Sequence, residues 1–293
     1  MKDPKSKKNK HGLDRAIPAE VKRKVRKNSG FGCVICGAGY WEYDHVEPEF
    51  ADCYEHDANS ITLLCVYHHG IKTKGLLSKE RIIKAMNNPK SLQDGFSFER
   101  FEISDKAPII RIGGAKFENV PIPIQIDNDP LITVSPPEEE GSPFLISGEF
   151  YDSTGKKSLI LEKNEWKAYN ENWDVDTVGT RVSIREKKGQ ISLILRSIPP
   201  NELIIEKLDM QKNGFIFKAD LETLELKEPG GRLANFNHVI SKDLNIGIQW
   251  DTSPPHKADV YTSWKDRLWV DSMDVFTNTI PEMYEIQKKH TKT

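Results

Sequence analysis

Cysteine and histidine, which are common zinc ligands, are concentrated in one short stretch of the chain. All four cysteines and four of the eight histidines lie between positions 33 and 69 of the 293 residues. These residues are Cys33, Cys36, His45, Cys53, His56, Cys65, His68 and His69. The outer groups, Cys33-Val-Ile-Cys36 and Cys65-Val-Tyr-His68, have the spacing of two zinc knuckles and supply four ligands. They predict a tetrahedral, structural Zn²⁺ site formed by Cys33, Cys36, Cys65 and His68.

A disulfide framework explains these cysteines less well, because the rest of the chain contains no cysteine. The N-terminus has no apolar segment of the signal-peptide type, and no stretch approaches about 18 apolar residues. We therefore expect a cytoplasmic protein without a membrane partner, and cytosolic thiols stay reduced.

Cys53 and His56 lie between the two knuckles. Either could be an additional metal ligand. A buried small side chain for Cys53 and a loop position for His56 are the simpler interpretations.

A further set of polar residues accompanies the knuckles. The segment Tyr43-Asp44-His45-Val46-Glu47-Pro48 is followed by Asn59 and then by the adjacent pair His68-His69. This order of residues resembles the motif of the HNH endonuclease family. That motif has an Asp-His pair, then an asparagine, then a cysteine knuckle followed at once by a histidine. This family is the zinc-stapled form of the ββα-metal nuclease fold, and the resemblance covers about residues 17–85.

The resemblance implies a catalytic role for each residue of that set. His45 would be the base that activates water, and Asp44 and His69 would bind a catalytic Mg²⁺ or Mn²⁺. Asn59 would orient either the loop that carries His45 or its imidazole through hydrogen bonds. The family more often has C-x-x-C-H where this chain has C-x-x-H-H, and the simplest correspondence leaves His68 on zinc and His69 in catalysis.

These implied roles predict a metal-dependent endonuclease that hydrolyses phosphodiester bonds of DNA, with RNA not excluded. Nucleases of this kind joined to a second module often act in restriction or phage defence, so we expect such an effector by analogy. The alternative is a non-catalytic zinc module that binds nucleic acid or protein.

The charge distribution supports a nucleic-acid partner for the N-terminal part of the chain. Residues 1–30 contain eleven Lys and Arg side chains against three acidic ones, whereas residues 101–293 contain 24 against 31. The cations predicted to contact phosphate are Lys22, Arg23, Arg26, Lys72 and Lys74. A solvated helix face, or helix end for the last two, is the alternative.

The elements that position these residues follow from residue periodicity. Ile17, Val21 and Val25 predict a helix that begins at Pro18, and Ser78 predicts the cap of a second helix. From about residue 105, short β-branched runs alternate with turn signals and predict strands. Asp174-Val-Asp176 is interpreted as a strand or turn edge.

The predicted fold class is therefore α+β. The resemblance implies a small N-terminal ββα-metal domain with a zinc site, which a mainly antiparallel, sandwich-like β domain follows. The expected boundaries are 1–16 for a flexible basic arm, 17–100 for the nuclease domain and 105–293 for the β-rich domain. Because residues 101–293 are acidic, we expect the β-rich domain to contact a protein partner or form a homo-oligomer, in a sensing, targeting or assembly role.

Overall fold

The computed structural model describes residues 8–252 and the backbone of 258–260 and 269–270. The protein is α+β with a large majority of strand residues over helix residues. The helices are α1 (Ala19–Asn28), α2 (Val66–Thr73), α3 (Lys79–Asn87) and α4 (Lys90–Asp94). No helix in the described part of the chain is long and apolar enough to cross a membrane.

The strands are numbered in chain order. They are β1 (Trp41–His45), β2 (Ile61–Cys65), β3 (Phe96–Arg100), β4 (Ile109–Ile112), β5 (Ala115–Glu118), β6 (Ile122–Ile126), β7 (Asp129–Ser135), β8 (Leu145–Tyr151), β9 (Lys157–Glu162), β10 (Glu165–Tyr169), β11 (Asp174–Val178), β12 (Arg181–Lys187), β13 (Gln190–Ile198), β14 (Glu202–Lys212), β15 (Phe215–Ala219), β16 (Leu224–Lys227), β17 (Leu233–Asn235), β18 (Ile240–Lys242), β19 (Ile246–Trp250), β20 (Ala258–Val260) and β21 (Trp269–Val270).

The chain folds into two compact units whose boundaries differ from the predicted ones. Unit 1 consists of residues 8–100 together with Glu165–Ile191, and unit 2 consists of 101–164 together with the described residues from Ser192 onward. The sequence placed 165–191 in the β-rich domain. In the structure β10 pairs with β3, and β11 packs against α1, so this segment completes unit 1.

Residues 8–16 are not the flexible arm that the sequence predicted, while residues 1–7 lie outside the described part of the chain. The amide of Asn9 donates hydrogen bonds of 2.7 Å to the carbonyls of Phe50 and Cys53. His11 stacks on the ring of Tyr54 with 3.9 Å between centroids. These contacts hold the segment against the loop between β1 and β2.

A β-hairpin followed directly by a helix forms the centre of unit 1. Strands β1 and β2 are antiparallel, with Asp44 opposite Thr62 and His45 opposite Ile61. All five residues of β2 are buried, and the strand ends at Cys65, which is the N-cap of α2. The Cys65 sulfur accepts a 3.5 Å hydrogen bond from the backbone N–H of His68.

Helices α1 and α3 bury the residues that the sequence indicated. Val25 is fully buried with Ile61 and Leu63, and Ile17 and Val21 pack against this cluster. The Ser78 hydroxyl accepts a hydrogen bond from the backbone N–H of Arg81, which confirms the predicted cap of α3.

Unit 2 is built almost entirely of strands. Most neighbouring strands are antiparallel, as in the run β6–β7–β8–β9. The described residues also contain parallel pairs, namely β4 with β14, β5 with β18 and β6 with β19. Each parallel pair joins segments that are far apart in sequence. Turn signals in the sequence do not predict such a pairing.

Candidate metal centre and catalytic site

Four predicted ligands converge beside the start of α2. The three sulfurs of Cys33, Cys36 and Cys65 and the Nδ1 atom of His68 all lie within 4.8 Å of one another. The Cys36 and Cys65 sulfurs are 3.8 Å apart, and His68 Nδ1 lies 3.2 Å from Cys65 and 3.5 Å from Cys33. Ligands at ordinary zinc bond lengths span tetrahedron edges of about 3.5–3.8 Å. The donor set and its spacing therefore suit a metal such as zinc.

Local structure explains how the cluster forms. The backbone N–H of Gly37 donates to the carbonyl of Cys33 at 2.7 Å, and Gly37 has a φ of 83°, which closes a tight turn around Cys36. Val34, Val46, Leu64, Leu77 and Ile82 form a small core around the cysteines. The contact between the two thiols lowers the pKa of Cys33 and raises the pKa of Cys36.

Cys53 and His69 lie close to these ligands in sequence but do not belong to the cluster. Cys53 is 2% exposed and its thiol donates to the carbonyls of Pro48 and Glu49, as expected for a buried small side chain. His69 follows His68 on α2 but faces Asp44 instead. His68 thus belongs to the Cys₃His cluster, and His69 does not.

Asp44 and His69 form the second group of potential ligands. The Asp44 side chain is 9% exposed, and its Oδ1 atom lies 3.5 Å from Nε2 of His69. The Nδ1 atom of His69 lies 3.0 Å from the Glu42 carboxylate. One carboxylate oxygen and one imidazole nitrogen therefore converge between β1 and α2, and both are of atom types that can ligate a divalent cation.

Lys72 occupies a position that the sequence did not predict. Its ammonium donates a 2.6 Å hydrogen bond to Oδ2 of Asp44 and a 3.1 Å bond to the backbone carbonyl of His45. The i, i+3 spacing on α2 places Lys72 and His69 on one side of the helix, against β1. Lys72 was expected to contact phosphate, and the structure corrects this, because the ammonium neutralises the buried Asp44.

His45 ends β1 and contacts His56, for which the sequence left open a loop position or a role as an additional metal ligand. Its Nε2 atom lies 3.1 Å from Nδ1 of His56, and Nε2 of His56 lies 2.9 Å from the backbone carbonyl of Asp14. The ring of Phe50 packs against both imidazoles. Burial, followed by the charges of His56, Lys72 and Arg15, lowers the pKa of His45 to about 4. No local spacing in the sequence indicated the contact with His56.

Asn59 makes no hydrogen bond to the His45 imidazole in the described part of the chain, so of the two implied roles only the one that concerns the loop remains. It is exposed, and its backbone and side-chain N–H groups both donate to Asp57 Oδ1, at 3.0 and 3.2 Å. These bonds shape the turn before β2. The Ser60 carbonyl in the same turn accepts a 2.8 Å bond from Val46 N–H. Asn59 therefore shapes the turn whose Ser60 carbonyl binds Val46, the residue that follows His45.

The basic face of α1 is largely used inside unit 1. Arg26 is 6% exposed and donates to both carboxylate oxygens of Asp174, at 2.8 and 2.7 Å. Its guanidinium also donates to the Tyr43 hydroxyl at 2.7 Å. Arg26 is thus unavailable to phosphate, and the prediction for it was wrong. Asp174 lies at the start of β11, as the strand-edge interpretation expected.

The other predicted phosphate contacts differ in their surroundings. The Lys22 ammonium lies 5.5 Å from the Tyr43 ring centroid, and the Arg23 guanidinium lies 4.4 Å from that of Trp173. Both side chains are half-buried. Lys74 is exposed at the C-cap of α2. Arg15, which the prediction omitted, is exposed with its guanidinium 4.8 Å above the Phe50 ring and close enough to His45 to influence its pKa.

No protein-family model, curated protein or solved structure matches this chain.

Proposed function

We propose that this protein is a metal-dependent endonuclease of the HNH type that hydrolyses phosphodiester bonds of DNA. The observation that carries the proposal is the hairpin β1–β2 followed by α2, which presents Asp44, His45 and His69 next to a Cys₃His cluster. A zinc site alone requires none of these three residues. Their presence on the same elements favours a reaction centre over a purely structural module.

The proposed reaction uses the side chains as follows. The His45 imidazole accepts a proton from water while the water oxygen forms a bond to phosphorus. The bond between phosphorus and the leaving oxygen breaks, and this oxygen takes up a proton from solvent. Asp44 and His69 would hold a Mg²⁺ or Mn²⁺ ion, which supplies positive charge to the phosphate when bound. The Cys₃His cluster would hold Zn²⁺ and fix the start of α2.

The substrate contacts also follow from exposure. Lys74 at the C-cap of α2 and Arg15 above the Phe50 ring are exposed cations, whereas Arg26 is buried. We therefore assign phosphate contacts to Arg15 and Lys74. By analogy, the same proposal includes a role in restriction or phage defence, a cytoplasmic location and a protein partner for unit 2.

A non-catalytic zinc module is the second candidate, and the ion pair between Lys72 and Asp44 favours it. Lys72 already neutralises Asp44, the carboxylate expected to bind the catalytic cation. A site of this kind is stable without any catalytic ion. The two candidates predict the same zinc content but opposite results for cleavage.

Cleavage of end-labelled oligonucleotides by the zinc-loaded full chain tests the proposal. Duplex DNA, single-stranded DNA and RNA of one sequence are incubated with Mg²⁺ or with excess EDTA. The variants are His45→Ala and, as a matched control, His238→Asn at an exposed histidine of unit 2. We expect Mg²⁺-dependent cutting of DNA that falls roughly 100- to 10,000-fold in His45→Ala. Equal cutting by His45→Ala and wild type would refute the proposal.

A further inference from the structure

A chain of hydrogen bonds connects His45 to the backbone of the N-terminal segment. It runs from Nε2 of His45 to Nδ1 of His56 over 3.1 Å, and from Nε2 of His56 to the carbonyl oxygen of Asp14 over 2.9 Å. Both distances are ordinary hydrogen bonds. The partner at the far end is a carbonyl, which can only accept a hydrogen.

This fixed acceptor determines where each proton lies. Nε2 of His56 must carry a hydrogen to donate to Asp14, so a neutral His56 has a lone pair on Nδ1. That lone pair accepts a hydrogen from Nε2 of His45. Nδ1 of His45 is then the unprotonated nitrogen, and it has no hydrogen-bond partner in the described part of the chain.

The surroundings of His56 are arranged to keep this geometry. Asn9 ties the segment to the loop through the carbonyls of Phe50 and Cys53, and its Oδ1 accepts the backbone N–H of Leu13 at 2.9 Å. The Phe50 ring is nearly parallel to His56, at 12°, with 6.2 Å between centroids. The Asp14 carbonyl and the Phe50 ring, which both contact His56, are therefore held in place by the same set of hydrogen bonds of Asn9.

We infer that His56 is a positioning residue that holds His45 in the Nε2-protonated form, so that Nδ1 of His45 is the atom that accepts the proton from water. The inference rests on the proposed function for the role of His45, but the hydrogen-bond chain itself is independent of catalysis. His56 touches neither substrate nor cation in this account. It acts by fixing the tautomer and the ring orientation of His45.

Nitrogen-15 NMR of the histidine rings tests the chain directly in the full-length, zinc-loaded protein. We expect the His45 proton on Nε2, protected from solvent exchange and with scalar coupling to Nδ1 of His56. In His56→Ala the coupling disappears and the proton exchanges rapidly. Asp14→Ala is the matched control, because it keeps the backbone carbonyl and should retain both signals. A proton on Nδ1 of His45 in the wild-type protein would overturn the inference.

Kinetics on the same proteins then separate this inference from the proposed function. In His56→Ala we expect kcat to fall roughly 10- to 100-fold with little change in KM, since a small misplacement of a catalytic group costs this much. His56→Asn, which again offers an acceptor to His45, should recover most of the loss. Active wild-type enzyme with unchanged kcat in His56→Ala would overturn the inference alone. An intact coupling in a protein that never cuts DNA would overturn the proposed function and leave the hydrogen-bond chain standing.

Discussion

The four donors of the Cys₃His cluster differ strongly from the remaining cysteine in their surroundings. Cys33, Cys36 and Cys65 place their sulfurs around Nδ1 of His68, whereas Cys53 donates only to backbone carbonyls. A metal bound here would join the turn before β1 to the start of α2. Binding would therefore contribute directly to the stability of unit 1.

Removing one sulfur should release the metal. We expect Cys36→Ser to lose most of the bound zinc and to lower the thermal unfolding temperature, because three donors no longer close the tetrahedron. Cys53→Ser is the control and should keep one zinc per chain. Zinc is measured by atomic emission alongside a thermal melt. Equal zinc in both variants would contradict the assignment.

Lys72 and a divalent cation would compete for the charge of Asp44. The lysine donates to Oδ2 while His69 faces Oδ1, so an ion at Oδ1 would lie close to the ammonium. Like charges repel at such distances even near the protein surface. The lysine therefore weakens cation binding in this account.

Substituting Lys72→Met should tighten the binding of Mg²⁺. We expect the Mg²⁺ concentration for half-maximal cleavage to fall several-fold, which corresponds to about 1 kcal/mol. The measurement is the Mg²⁺ dependence of DNA cleavage, with Lys84→Met, at an exposed lysine of α3, as a control that leaves this value unchanged. A higher Mg²⁺ requirement in Lys72→Met would show that the lysine supports the ion instead.

At the scale of elements, α1 is held to β11 by buried charges. Arg26 donates two bonds to Asp174 and a third bond to Tyr43, and the Arg185 guanidinium lies 3.2 Å from the same aspartate. The contact with Asp174 and the negative charges around it raise the pKa of Arg26 despite its burial, so it stays charged. A charge of this kind is costly to leave unpaired.

The variant Arg26→Ala should destabilise unit 1 by roughly 3–5 kcal/mol, because Asp174 would remain buried without its main partner. Lys24→Ala, on the exposed side of the same helix, should change stability by no more than about 0.5 kcal/mol. Urea unfolding followed by circular dichroism measures both. A small effect of Arg26→Ala would mean that the helix depends on its apolar face alone.

Sequence separation explains which parts of the site could be predicted. The four residues of the Cys₃His cluster lie in two short knuckles whose spacing predicts a metal site, and the burial of Val25 follows from helical periodicity. Arg26 pairs with a residue 148 positions away, and no local pattern indicates such a partner. The contact of His56 with His45 depends on how residues 8–16 pack against the intervening loop, which composition does not encode.

At the scale of the whole molecule, unit 1 is discontinuous in sequence. Residues 8–100 supply the hairpin, the helices and β3, while Glu165–Ile191 supplies the neighbour of β3 and the partner of Arg26. A boundary at residue 100, which the sequence suggested, would divide this unit.

A fragment that ends at Arg100 should therefore be less stable than unit 1 in the full chain. Without β10 and Asp174, the amides of α1 are expected to exchange with solvent much faster, since exchange reports local opening. Hydrogen exchange followed by mass spectrometry compares the fragment with the full chain. Equal protection of α1 would show that residues 165–191 are dispensable for folding.

The most direct test of the nuclease account is the conversion of supercoiled plasmid by zinc-loaded wild type and Asp44→Asn in the presence of Mg²⁺ or Mn²⁺. Zinc content is measured on both proteins. We expect the wild type to nick the plasmid and Asp44→Asn to be slower by roughly 100-fold or more at equal zinc, because the proposed cation loses its carboxylate ligand. Equal rates for the two proteins, or no nicking by either with zinc in place, would contradict the account.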